Sequence, residues 1–326
     1  MARIFKGMAE STAMLLVWVG LLVLFGLFSE NFLSVATFRT LANSIPTLTV
    51  VSSGMTLVLL IGGIDLSVGS VLGLCGSLLG LAMVNWHWPF AAAALLCTGA
   101  GLLAGWMNGV ISVQFGIPSF IVTLGMLEIA RGLAYLTTHS QTQYIGGAVE
   151  SLAANWRLGI SPAFVLAVLV VIVAQVILSK TLFGRLLVAI GTNMQAVRLA
   201  GINPRRAQVV AFCIVGFLTG LGALFYTSRL GSADPNAGAG LELSAIAAVV
   251  IGGTSLLGGR GSVINSFFGV LIIVTLQAGL AQIGASEPVK RVVTGGVIIA
   301  AVMLDAWRHH LTRAKLGRFG RLFARS

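Results

Sequence analysis

Charge is the scarcest commodity in this sequence. Only 9% of its 326 residues are Asp, Glu, Lys or Arg, against about 25% in an ordinary soluble domain, while 57% are hydrophobic. With a mean hydropathy of +1.00, the chain is an integral membrane protein. Other scarcities exclude whole chemistries. There are three cysteines, Cys75, Cys97 and Cys213, each inside an apolar run and without metal-like spacing, so they read as structural thiols. No Gly-Lys dipeptide occurs, which removes the phosphate-cradling loop G-x-x-x-x-G-K-[ST] and with it that mode of ATP binding. The four histidines, His87, His139, His309 and His310, form no H-E-x-x-H and no other metal pattern. Nine acidic residues, few of them within apolar runs, are too few to supply an intramembrane proton relay. No nucleophile–base constellation points to an enzyme.

What is abundant is apolar sequence cut by glycine, proline and short polar breaks. The cuts leave ten spans, near 11–29, 46–62, 67–84, 90–112, 118–137, 162–179, 207–228, 241–257, 263–284 and 289–306. Two of these, 46–62 and 241–257, are short for a bilayer of about 30 Å and are expected to be tilted, broken or partly re-entrant. No polar block is large enough for a soluble domain, so residues 1–326 read as one transmembrane unit. The expected fold class is an all-α integral membrane protein of about ten helices.

The formal net charge of +11 raises the question of nucleic acid, but the basic residues gather in a few segments rather than along an aromatic-interleaved face. Arg3 and Lys6 precede the first span; Lys180, Arg185, Arg198, Arg205 and Arg206 lie between the sixth and seventh; Arg308, Arg313, Lys315, Arg318, Arg321 and Arg325 follow the tenth. With ten spans all three clusters fall on one side, which the positive-inside rule makes the cytoplasm, together with both termini and a basic tail over 308–326. The weakest point is the opposite segment "GASEPVKR", with Lys290 and Arg291 against one acid, Glu287. Trp86 and Trp88 suit an interfacial belt. The first apolar stretch is longer than a signal core and lacks a small-residue cleavage site, so it is expected to remain as a helix.

Against this background a few polar residues stand out. In "LLIGGIDLSVGSVLGL" (59–74), Asp65 is a lone carboxylate among glycines and apolar residues. One reading is a helix–break–helix in which Asp65 and Ser67 cap the second helix. The other adds that the break, with Gly69 and Ser70, borders a translocation path or gate, since a broken helix at membrane depth is tolerated only when buried or lining water. "LEIARG" sets Glu128 and Arg131 three residues apart on one helix face, either as an ion pair that fixes packing or as a polar lining. Asn108 in "GWMNG" is a further path candidate, and the loop "SADPNAGAGLEL" is expected to face outward and dock a binding protein. Between Lys180 and Arg206 a short surface helix is expected, opened by Asn193 as N-cap and closed by Gly201 before Pro204. It is a docking knob for another protein or a site for lipid headgroups. Finally, "IGGIDLSVGSV" (61–71) and "IGGTSLLGGRGSV" (251–263) share I-G-G followed by G-S-V, a hint of internal similarity.

The stretches 54–70, 120–136, 183–203 and 240–272 together resemble, in order and spacing, the permease subunits of bacterial ATP-binding-cassette importers for monosaccharides such as ribose, xylose, arabinose and galactose. The "GIDLSVGS" and "GxNxxAxRLxGI" patterns are specific, and the likeness covers essentially the whole chain. It implies the ABC importer permease fold, a homodimer or a pair with a sister permease in the inner (cytoplasmic) membrane, and contact with membrane lipids. It also implies a periplasmic sugar-binding protein and a separate ATPase that holds the ATP and magnesium; no cofactor and no nucleic acid are expected on this chain. Gly191, Asn193, Ala196, Arg198, Leu199, Gly201 and Ile202 match the family's coupling loop, about 180–206 here, with Thr192 and Val197 at positions where the family often has smaller residues. The expected function is import of a pentose or hexose without catalysis by this chain. The alternatives are inositol or the furanosyl signal autoinducer-2 as solute, and, from another class, a secondary transporter that needs no ATPase.

Overall fold

The computed structural model describes residues 2–150, 152–153 and 159–303; the basic tail expected over 308–326 lies outside them. The elements run α1 (Ala2–Phe28), α2 (Val35–Leu60), α3 (Val68–Gly80, continued by a π turn Leu81–Asn85), α4 (Phe90–Phe115), α5 (Ser119–Thr138), β1 (Gln143–Tyr144) and α6 (Gly147–Glu150). They continue through α7 (Pro162–Lys180), α8 (Leu182–Leu199), α9 (Arg205–Leu230), β2 (Ser232–Ala233), α10 (Leu241–Ile251) and α11 (Val263–Gln282). Residues 287–303, designated α12, are helical. Among the described residues eight helices are long and apolar enough to cross a membrane. Each of the ten expected spans overlaps a helix within the described residues, although α10 is too short to cross by itself.

The span expected from residue 46 begins much earlier. Ser34 caps α2, its Oγ accepting from Thr37 N at 3.3 Å, and the helix runs on through Pro46 to Leu60. Proline removes a backbone N–H and frees a carbonyl one turn back. The helix nevertheless continues, because most of it is buried by its neighbours. A polar N-terminal half, "VATFRTLANSI", hid this stretch from a hydropathy reading.

Glycine determines how closely the helices pack. Gly101, Gly105 and Gly109 lie four apart on one face of α4, opposite Gly216 and Gly220 of α9. A Cβ on Gly105 would overlap Phe212 O, and one on Gly216 would overlap Gly101 O, so the two backbones are in direct contact. Lipid supplies no hydrophobic drive between helices, and such small-residue faces let van der Waals contact replace it. Cys97 Sγ donates to Gly220 O at 3.4 Å across the same seam. By contrast α1 is largely outside the bundle, with Leu16, Leu27 and Phe28 exposed; Trp18 Nε1 bonds Thr275 Oγ1 of α11 at 3.0 Å.

The loop expected to face outward does not stay at the surface. After β2 pairs antiparallel with β1, the chain runs along α3 as a series of turns over residues 235–240. Ala233 packs on Gly80, Pro235 O and Ala237 O on Gly73, and Gly238 O on Gly69, with Ala233 and Ala237 buried. This is why α10 spans only Leu241–Ile251: the other half of its crossing is the non-helical segment 232–240, lodged in a glycine groove of α3. Its backbone is partly satisfied locally, Ala237 N donating to Asp234 O and Leu241 N to Gly238 O, as irregular chain packed against a helix requires.

Candidate functional site

At the α2–α3 break, Gly62 takes φ +74°, which ends α2 cheaply, and the chain turns back through Asp65. Asp65 Oδ1 accepts from Ser67 N at 2.9 Å and Ser67 Oγ at 2.6 Å. Asn108 Nδ2 of α4 donates to Ser67 Oγ at 3.0 Å and reaches Asp65 Oδ2 at 3.5 Å. The flanking backbone is held by α5: Ile64 N donates to Ser119 Oγ at 2.9 Å and Leu66 N to Thr123 Oγ1 at 3.1 Å. Asp65, Ser67 and Asn108 are all buried. Ser67 sits at the N-cap without a side-chain cap bond, so the capping is done by Asp65 from two residues upstream. The structure thus brings Asp65, Ser67 and Asn108 together in one closed cluster.

The second break, 252–262, meets the first. Gly259 N donates to Leu60 O at 2.9 Å. Gly258, at φ +85°, lies against Gly62 N and Gly191, and a Cβ at Gly191 would overlap both Leu60 O and Gly259 N. Two interrupted helices and the middle of α8 therefore join backbone to backbone at one point. The sequence likeness of the two breaks is one of helix-ending chemistry rather than register: Ser70 lies inside α3, whereas Ser262 is the N-cap of α11.

Immediately beyond Gly191 the helix bends. Asn193 leaves helical geometry at φ −161°, ψ 96°, and its Oδ1 accepts from Ala196 N at 3.0 Å, restarting a short helix that closes at Gly201, φ +77°. Val197 is its buried side; Ala196, Arg198 and Gly201 are exposed, with Leu199 90% and Ile202 48% exposed. Arg198 Nη2 rests on Met194 Sδ at 3.4 Å.

Glu128 and Arg131 do not pair. Glu128 stands on the exposed face of α5, while Arg131 turns inward to line a cavity of about 710 Å³ between α5, α9, α10, α11 and α12. Glu242, in the first turn of α10, lines the same cavity. Its Oε2 lies against Gly69 in the first turn of α3, buried and without a hydrogen bond. The meeting of two helix N-termini accounts for a carboxylate there, because both macrodipoles favour negative charge. At the cavity rim Lys290 and Arg291 pair with Glu287 at 3.3 and 4.0 Å. Next to it a pocket of about 80 Å³ is lined by Ser70, Arg131, Tyr135 and the 235–239 segment. Tyr135 escaped the sequence reading, and Asn236 and Glu242 were included in it only as part of the loop expected to dock a binding protein. For Glu242 the signal was present, a lone acid opening the apolar run "LELSAIAAVV", and the rule that singled out Asp65 applies equally to it. Among the described residues no group of three His, Cys, Asp or Glu side chains could hold a metal ion.

Interrupted apolar helices, a polar cavity at their ends and a short exposed helix beyond the bundle are the features of a membrane permease. Residues 37–302 match the family described as branched-chain amino acid transport system / permease component, and the chain belongs to that family. It is similar to the autoinducer 2 import system permease protein LsrC of Escherichia coli (strain K12 / DH10B), 34% identical over 98% of this chain and 94% of that protein. The LsrC proteins of Yersinia pseudotuberculosis and Photorhabdus luminescens are 32% and 33% identical, over 98% and 94% of this chain and 92% of each relative. No solved structure matches it.

Proposed function

We propose that the chain is the membrane-spanning subunit of an ATP-binding-cassette importer for autoinducer-2 or a closely similar small, polyhydroxylated solute. The single observation that carries the reading is the full-length similarity to autoinducer-2 permeases, which favours that solute over the pentose or hexose expected from the motifs alone. The short helix of residues 194–199, with Arg198, Leu199 and Ile202 exposed, is the surface on which a cytoplasmic ATPase docks. Its motion reaches both interrupted helices through the Gly191 contact, so the ATPase strokes rock the bundle between outward and inward states. A periplasmic binding protein delivers the solute, a second permease subunit completes the path, and the assembly sits in the inner membrane with both termini cytoplasmic. ATP and magnesium stay on the partner.

Vesicle uptake tests this. With the ATPase and binding protein reconstituted, autoinducer-2 uptake is expected to require both and to need no ion gradient; uptake by the chain alone on a proton or sodium gradient overturns the reading. Arg198→Ala is expected to lower solute moved per ATP hydrolysed while the assembly remains folded. The motif resemblance supports ribose as a second solute, so D-ribose belongs in the same assay.

A further inference from the structure

Most buried polar side chains in this bundle have partners, which makes the exceptions informative. Ser70 is 5% exposed, yet its Oγ has no hydrogen-bond partner. A serine in a helix ordinarily returns its hydroxyl to a carbonyl one turn back, as Ser77 does in this same helix to Gly73 O at 2.8 Å. Ser70 instead lines the pocket of about 80 Å³, beside Arg131, which also lines the large cavity. Tyr135 Oη donates to Asn236 Oδ1 at 2.7 Å, and Asn236 is braced by Asp234 Oδ1 through its N at 2.9 Å and its Nδ2 at 3.3 Å. The phenol is thereby oriented with its own lone pairs free to accept.

We infer that this pocket is a subsite for one hydroxyl-bearing end of the transported solute, a hydroxymethyl group or vicinal diol, held by Ser70, Arg131 and Tyr135. This inference rests on the importer reading and adds the contact point. The donor set matches a hydroxyl: Arg131 donates only, Tyr135 Oη accepts, and Ser70 Oγ does either. The volume admits a fragment of that kind, and the rest of the solute lies in the adjoining cavity, with which the pocket shares Arg131 and Ala239. A neutral polyol is favoured over an anion because the cavity offers both signs, Arg131 facing the same space as the Glu242 carboxylate, and Lys290 and Arg291 already engaged by Glu287. The setting is also the one in which such sites form, where the first turns of two interrupted helices, α3 and α10, converge.

The experiment compares wild type and Ser70→Ala in vesicles holding the complete importer, with autoinducer-2 and D-ribose as probes, and measures the thermal midpoint of each assembly. Deleting a buried hydroxyl that bonds nothing breaks no hydrogen bond, so the midpoint is expected to stay or rise, while maximal uptake falls about tenfold for loss of one desolvated hydrogen bond. Half-saturation, set by the binding protein, stays constant. Arg131→Met is expected to reduce uptake further. Unchanged uptake in Ser70→Ala overturns the subsite and leaves the importer reading standing; a lowered midpoint shows the hydroxyl to be structural and overturns it likewise. If wild type takes up neither probe with ATP and binding protein present, the importer reading fails and the subsite with it.

Discussion

Asp65 and Ser70 stand five residues apart in the same signature, and the structure treats them in opposite ways. Asp65, the more expensive side chain to bury, is bonded by Ser67 and Asn108 and sealed under α5. Ser70, which a hydropathy scan passes over, is just as buried and has nothing to bond. A buried polar group with partners stabilises the fold, whereas a desolvated hydroxyl without them can bond an incoming group at little cost. Under the proposed subsite, the break around Asp65 is the structural layer and the layer around Ser70, Arg131 and Glu242 the receptive one.

The largest expected effect lies in the structural layer. Gly191→Ala places a Cβ inside Leu60 O and Gly259 N, backbone atoms that cannot rotate away. Overpacking of this kind costs about 3 kcal/mol, and because the Leu60–Gly259 bond is part of the contact, both breaks loosen together. A lowered thermal midpoint with loss of all uptake is expected. A variant of normal midpoint would mean that the three segments do not meet there.

Asp65 provides the next test, and the sharper one. Asp65→Ala removes the acceptor for Ser67 N and Oγ and is expected to cost about 2 kcal/mol. Asp65→Asn keeps an acceptor oxygen in the same place and is expected to lose under about 1 kcal/mol and to retain uptake. Loss of uptake in a stably folded Asp65→Asn would move Asp65 from the structural layer to the path. Ser70→Ala is its mirror image, stable but slow, and the two variants together separate the layers.

How much of this was legible beforehand depends on whether a feature is written in local sequence. The order of the apolar helices, the two breaks, and the short helix between Asn193 and Gly201 follow from hydropathy and capping residues and appear in the structure, where eight of the described helices, against about ten expected, are long and apolar enough to cross a membrane. The N-terminal extension of α2 did not, because burial by neighbours rather than its own composition supports that helix through Pro46. The descent of 232–240 was hidden for the same reason: "SADPNAGAG" is loop-like by composition, and only the glycine groove of α3 tells where the loop goes. Glu128 and Arg131 share a helix face by spacing, yet spacing cannot say which of them turns toward a cavity that five helices build.

A smaller effect is expected at the short exposed helix, the proposed docking surface for the ATPase. Asn193→Ala deletes the cap bond to Ala196 N, a loss of about 1 kcal/mol confined to a helix of residues 194–199. The global midpoint is expected to move little, because Val197 alone of the exposed turn is buried, while the ATP used per solute rises. Asn193→Asp retains the acceptor and restores the ratio. A midpoint that falls as far as in Gly191→Ala would mean that the short helix belongs to the structural core.

The smallest expected effect is at Glu128. Successive helical residues advance by about 100°, so three steps leave Arg131 about 60° from Glu128, enough for one to face the cavity while the other stays outside. Glu128 is exposed beside Leu124, Ile129 and Leu133, and makes no ion pair with Arg131. Glu128→Gln is therefore expected to shift stability by less than about 0.5 kcal/mol and to leave uptake intact, measured on the assembled importer. Had the carboxylate held Arg131, neutralising it would free the guanidinium and disturb everything that Arg131 touches. Reduced uptake at an unchanged midpoint would accordingly place Glu128 against Arg131 in a working state, and would remove the uncommitted cation that the receptive layer requires.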